Sequence, residues 1–277
     1  MMVSSTALMM DLQAERTSLA RRATQRLRRL ISVRDDLGYR PVVAETGVLL
    51  FILFIFVGAM SSAIAGATLR ADFVGQGWGA SLPLTIAALT QVLYGFLVFR
   101  SRAYFGGSAQ AWLLQVGLFV LGVFSLLVML PVLVGAASLV ESVRGAFGLM
   151  PSPVVAHQTL ERLRDAGWGL EATVICINAG LLVPIAEEFG WRGMLLPTLR
   201  RYRFSPLAAN IVTATLFTAV HLAVLTDGAM MQAVALLFIL SLALGWLRLR
   251  TGSLAASIGL HAAFNLFNLL SVLTSTA

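Results

Sequence analysis

Seven apolar runs divide the chain, at residues 46–66, 81–99, 110–140, 171–197, 205–225, 229–247 and 253–273. Each is close to or longer than the roughly 20 residues an α-helix needs to cross a lipid bilayer. None alternates apolar and polar positions with the period of two that a membrane β-strand requires. The pattern predicts an all-α, polytopic membrane fold of about seven transmembrane helices. The third and fourth runs exceed what a bilayer requires, which predicts tilting, kinking or extension beyond it. Pro131, Pro184 and Pro197 are candidate kinks or helix ends. The longest connection, 141–169, carries Pro151, Pro153, His157, Glu161, Arg162, Arg164 and Asp165. It reads as a connector with room for a short surface helix, and His157 with Glu161 reads as a surface pair at helical spacing.

Composition agrees with the pattern. Of 277 residues, 58% are hydrophobic and only 12% charged, against about a quarter charged in soluble chains. That excludes a disordered chain and a water-soluble enzyme. The net charge is +7, and all 20 basic residues are Arg. They lie between the apolar runs, which points to membrane orientation rather than nucleic acid. With the N-terminus in the cytoplasm, fifteen Arg fall on inner segments and four on outer ones, and Arg192 lies inside the fourth run. This is the positive-inside bias of a multi-pass membrane protein. Residues 1–45 form a basic cytoplasmic segment with eight Arg and no secretory signal pattern. It reads either as an amphipathic helix on anionic lipid or as a solvated tail. Residues 46–277 read as a single transmembrane helical domain. Cys176 is the one cysteine, so no intramolecular disulfide forms.

The last four runs contain residues that lipid does not tolerate alone. The fourth has Glu187, Glu188 and Arg192, the fifth His221, and the seventh His261 and Asn265. The first three runs have only Glu45 near an end. A charge at bilayer depth costs about 2.5 kcal/mol or more, so such groups face the bundle interior or a wet cavity. Depth can be estimated from the Arg clusters 200–203 and 248–250 at ~1.5 Å rise per residue. Glu187 then lies ~20 Å, His221 ~27 Å, His261 ~16 Å and Asn265 ~22 Å from that boundary. The overlap in depth permits one site inside the bundle of the last four helices. Glu188 and Arg192 are four apart and share a helix face; so are His261 and Asn265. Glu187 points about 100° away from Glu188. This division predicts one structural carboxylate, paired with Arg192, and one working carboxylate. Phe217, one turn before His221, can wall the imidazole off from other groups.

One carboxylate with two imidazoles suits hydrolysis. The carboxylate takes a proton from water, and a His orients that water. A second His with Asn donates hydrogen bonds to a developing oxyanion. Glu187, His221 and His261 are also a zinc-type ligand set with one open position, although the HExxH spacing is absent. No GxSxG elbow supports a serine mechanism.

Three motifs carry a resemblance. Glu187-Glu188-Phe189-Gly190-Trp191-Arg192 resembles the EExxxR motif of the CPBP family, the CAAX proteases and bacteriocin-processing enzymes. Phe217-Thr218-Ala219-Val220-His221 is similar to that family's FxxxH motif, and His261-Ala262-Ala263-Phe264-Asn265 to its HxxxN motif. The three occur in order, and the resemblance covers about residues 171–270. It implies an intramembrane endopeptidase like the type II CAAX prenyl endopeptidases. By the match, Glu187 activates water with help from His221, and His261 and Asn265 serve the oxyanion side. Glu188, Arg192 and Phe217 support them. The family is described both as metal-dependent and as a metal-free glutamate enzyme. The expected cofactor is therefore none, or zinc on Glu187, His221 and His261. The expected partners are membrane lipid and a membrane-associated or prenylated peptide. The expected location is a bacterial inner membrane with the N-terminus cytoplasmic. Two other classes remain on the sequence alone. One is a non-catalytic binding or bacteriocin-immunity protein that uses the same cavity. The other is a proton-coupled transporter, which the absence of an inverted repeat disfavours.

Overall fold

The computed structural model describes residues 44–69, 79, 81–99, 109–152, 157–225 and 228–275. Apart from its last two residues, the basic segment 1–45 lies outside them, as do Arg70, Arg100 and Arg102. Among the described residues, eight helices follow one another. These are α1 (Ala44–Thr68), α2 (Leu82–Phe99), α3 (Ala109–Ala146), α4 (Gln158–Ala166), α5 (Leu170–Arg201), α6 (Pro206–His221), α7 (Met230–Thr251) and α8 (Leu254–Ser275). No strand occurs among the described residues. Among the described residues, six helices are long and apolar enough to cross a membrane: α1, α3, α5, α6 (with the 3-10 turn to Val224), α7 and α8. The seventh apolar helix, α2, is apolar over Leu82–Val98 and packs along α1. The protein is thus an all-α, multi-pass membrane protein.

Side chains of the outer helices face lipid. On α3, Leu113, Leu127 and Val128 are 71%, 64% and 74% exposed, where water would punish such burial failure but acyl chains do not. Association in lipid relies on close packing rather than on expulsion of water. The seam between α3 and α8 shows this. A Cβ on Gly122 would overlap the carbonyl of Ala256, and one on Gly259 would overlap the carbonyl of Phe119. The two glycines let the backbones approach from both sides. Above and below them, Leu126 of α3 meets Leu240, Leu244 and Leu247 of α7 and Leu260 of α8.

The helix α5 occupies the middle of the fold and is not regular. It widens into π-turns at Asn178–Leu182 and Phe189–Leu195. Each π-turn ends two residues before a proline, Pro184 and Pro197. Proline has no N–H to give to the carbonyl four residues back, and its ring crowds that carbonyl. The carbonyls concerned belong to Gly180 and Gly193, and a π-turn absorbs the mismatch without ending the helix. The expected kinks at Pro184 and Pro197 are therefore bulges within one continuous helix. The α-helical segment between them, Val183–Glu188, carries both glutamates. Phe54 of α1 and Met194 and Phe189 of α5 pack together with Leu254 of α8 and seat this helix.

The connection after α3 is more than a connector. Leu163 of α4 is fully buried among Ala172 and Ile175 of α5 and Leu269 and Leu273 of α8. The expected His157–Glu161 surface pair does not form. His157 is half-buried, and its Nδ1 accepts the N–H of Thr159 at 3.1 Å as the N-cap of α4. A cap satisfies an orphan helix donor, which outweighs an exposed i, i+4 contact of a few tenths of a kcal/mol.

Candidate active site

The polar residues of the last four helices meet at one place. Glu188 and Arg192 form the deepest part, each with no exposed surface. Arg192 Nη1 donates to Glu188 Oε1 at 2.7 Å, as their spacing predicts, even though a π-turn intervenes. Arg192 Nη2 donates to Ser241 Oγ and Ser241 O of α7 at 2.6 and 3.0 Å. The guanidinium also lies 4.7 Å from the Phe217 ring centre of α6. Arg248, equally buried, donates from Nε to the carbonyl of Arg192 at 3.2 Å and from Nη1 to the carbonyl of Gly252. The Glu188–Arg192 pair thus neutralises its own charge through Glu188 Oε1 and the two Nη atoms, while Glu188 Oε2 and Arg192 Nε are buried without a hydrogen-bond partner.

Glu187 sits beyond this pair, between two imidazoles. His261 Nδ1 donates to Glu188 Oε1 at 3.0 Å, since the carboxylate can only accept. Its Nε2 then faces Glu187 Oε2 at 3.5 Å. His221 Nδ1 donates to the carbonyl of Phe217 at 2.7 Å, and its Nε2 faces Glu187 Oε1 at 3.5 Å. Both rings have spent Nδ1 on an acceptor, so both present Nε2 to one carboxylate. A neutral ring would offer a lone pair to a carboxylate oxygen, which repels. The arrangement is favourable when a proton is held between Glu187 and an imidazole. The Glu187 side chain is 23% exposed, against 15% for His221 and 4% for His261, so it is the most open of the three. Phe217 packs between the rings, 4.4 Å from His221 and 5.9 Å from His261 centre to centre. Trp191 closes the other edge of Phe217 at 5.6 Å.

Asn265 stands apart from this contact set. It lies one turn along α8 from His261, and its Nδ2 donates to the carbonyl of Ala179 in the first π-turn of α5 at 2.8 Å. The π-turn exposes that carbonyl, and one N–H of the amide remains for another acceptor. Glu187, Glu188, Arg192, Phe217, His221 and His261 are therefore joined directly, while Asn265 is joined to them through the backbone of α5. Among the described residues, no group of three or more His, Cys, Asp or Glu side chains is disposed to hold a metal ion, the Glu187, His221 and His261 set included.

Two members of the network were not singled out in the sequence. Ser241 is a lone small polar residue in an apolar run, a weak signal by itself. The spacing places Arg248 at the inner boundary; the structure instead buries it against α5. Its position seven residues after Ser241, on the same face of α7, was the available signal.

Residues 169–267 match the family model described as type II CAAX prenyl endopeptidase Rce1-like. No curated protein and no solved structure matches the chain.

Proposed function

We propose, from the premise that residues 169–267 of this multi-pass membrane protein are an Rce1-like domain and make it an intramembrane CAAX-type peptidase, that Glu187 is its water-activating base. The observation that carries the proposal is the convergence of two Nε2 atoms on one partly open carboxylate, each at 3.5 Å. Water held against Glu187 gives up a proton to the carboxylate as its oxygen bonds to the carbonyl carbon of the peptide. His221 orients the carboxylate and shares the proton. His261 and the free N–H of Asn265 serve the oxygen that becomes negative. The proton then passes from Glu187 to the leaving nitrogen, the C–N bond breaks, and a carboxylic acid and an amine leave. Glu188 and Arg192 fix His261 and do not exchange protons with substrate. No step passes through a metal.

The substrate proposed is a membrane-associated peptide, prenylated near its cleavage site, in a bacterial inner membrane with the N-terminus cytoplasmic. The lipid-exposed bundle supports this, because a prenyl chain can reach the site through lipid. The test is cleavage of a farnesylated peptide and of its unmodified twin by purified protein, with and without a chelator. The expected result is cleavage of the farnesylated peptide that survives the chelator and falls at least about 100-fold in His221→Ala. Equal cleavage of the unmodified peptide would overturn the prenyl assignment. Loss of cleavage on chelation would overturn the metal-free mechanism.

A further inference from the structure

The residue His157 belongs to no motif, yet the fold carries it to the site. It lies at the start of α4, and α4 is pinned to α8, the helix of His261, through the fully buried Leu163. The other side of His157 is tied as well. Its backbone forms an isolated antiparallel bridge with Leu225. Leu225 is four residues beyond His221, at the end of the 3-10 turn that continues α6. The strap that begins at His157 therefore spans the two helices that supply the site's imidazoles. It does so at the end of the bundle where α6 stops and α7 begins.

The state of the ring follows from its bonds. Nδ1 accepts from the N–H of Thr159, so Nδ1 carries no proton. In the neutral ring the proton sits on Nε2, which is then a donor. Burial pushes the imidazole below its ordinary range, His221 pushes the same way, and Glu187 opposes them. With Nδ1 engaged as an acceptor and burial disfavouring the charged form, the ring is neutral. It is only half-buried, so the donor is not walled off.

We propose that His157 is a substrate-positioning residue of the peptidase: its Nε2–H donates to a backbone carbonyl of the bound peptide beside the scissile bond. The extended backbone at His157 and Leu225 (φ −141°, ψ 135° and φ −81°, ψ 147°) suits an extended peptide laid along it. This inference rests on the peptidase reading above.

The experiment compares His157→Ala and His157→Asn with wild type and Glu187→Gln on the farnesylated peptide, with thermal unfolding in detergent measured in parallel. Asn is as good an N-cap as any residue, so His157→Asn keeps the Thr159 bond and the stability of α4. Its shorter amide does not reach where Nε2 does. The expected result is that both His157 variants lose about 10-fold in kcat/KM, mostly through KM, while His157→Asn unfolds at the wild-type temperature. Recovery of wild-type kcat/KM in His157→Asn would reduce His157 to a helix cap and overturn the inference, leaving the peptidase reading intact. Cleavage by Glu187→Gln at the wild-type rate would instead overturn the peptidase reading and the inference with it.

Discussion

The helices α1 and α3 and the helix α8 are all apolar, but they are built on different terms. In the most apolar stretch of α1 and of α3, 17% of residues are buried inside the protein; in α8, half are. The outer helices join one another through a few bonds to the backbone, such as Gln91 Nε2 to the carbonyl of Phe54 and Tyr94 Oη to the carbonyl of Leu50. The inner helices join through charges. Lipid accepts any hydrophobic surface, so most outer positions need only be apolar. A carboxylate in the same membrane needs specific partners on several helices at once. The active-site half therefore has few interchangeable positions, and the outer half has many.

The contrast can be broken by substitution. The largest effect is expected from Arg192→Ala, which leaves Glu188 buried with only the His261 bond and no Arg counter-charge, and leaves Ser241 without the Arg192 donor. The loss should be about 3–5 kcal/mol, read as a fall in unfolding temperature in detergent, with cleavage lost as well. Next comes Gly259→Leu, where a side chain must enter against the carbonyl of Phe119. Overpacking of this kind costs about 1–3 kcal/mol, and the seam between α3 and α8 should loosen to proteolysis. Smaller again is Gln91→Leu between α1 and α2, at about 0.6 kcal/mol, the average for a hydrogen bond between membrane helices. The smallest change is expected from Val128→Ala on the lipid face of α3, within about 0.5 kcal/mol and with normal cleavage. If Val128→Ala and Arg192→Ala destabilised equally, the distinction between the two halves would fail.

The sequence shows the same division of legibility. The apolar runs located each of the six described helices long enough to cross a membrane, and the shorter α2, because hydrophobic length is a local property. Their ends were less clear. The third run, read to 140, extends as α3 to Ala146, since Arg144 lies 3.7 Å from Glu141 and Glu141 accepts the N–H of Ser152. The run read to 247 extends as α7 to Thr251, since Arg248 turns inward instead of ending the helix. At the site, helical spacing was enough to pair Glu188 with Arg192. It also separated Glu187 from them, and the depth estimate brought three helices to one level. The bonds from Asn265 to Ala179 and from Arg192 to Ser241 were not legible. The first depends on a π-turn that frees a carbonyl, and the second on how α7 is rotated. The role of His157 was hidden for a similar reason. Its loop looks solvated until Leu163 is seen to dock between α5 and α8.

The central claim is that two adjacent glutamates do different work, Glu187 in chemistry and Glu188 in structure. It is tested most directly by making Glu187→Gln and Glu188→Gln separately and measuring both peptide cleavage and thermal unfolding. The account predicts that Glu187→Gln unfolds near the wild-type temperature and no longer cleaves, because Gln cannot accept the proton of water. It predicts that Glu188→Gln unfolds at a clearly lower temperature, because Arg192 loses its counter-charge. Cleavage by Glu187→Gln at the wild-type rate, or unchanged stability in Glu188→Gln, would contradict it.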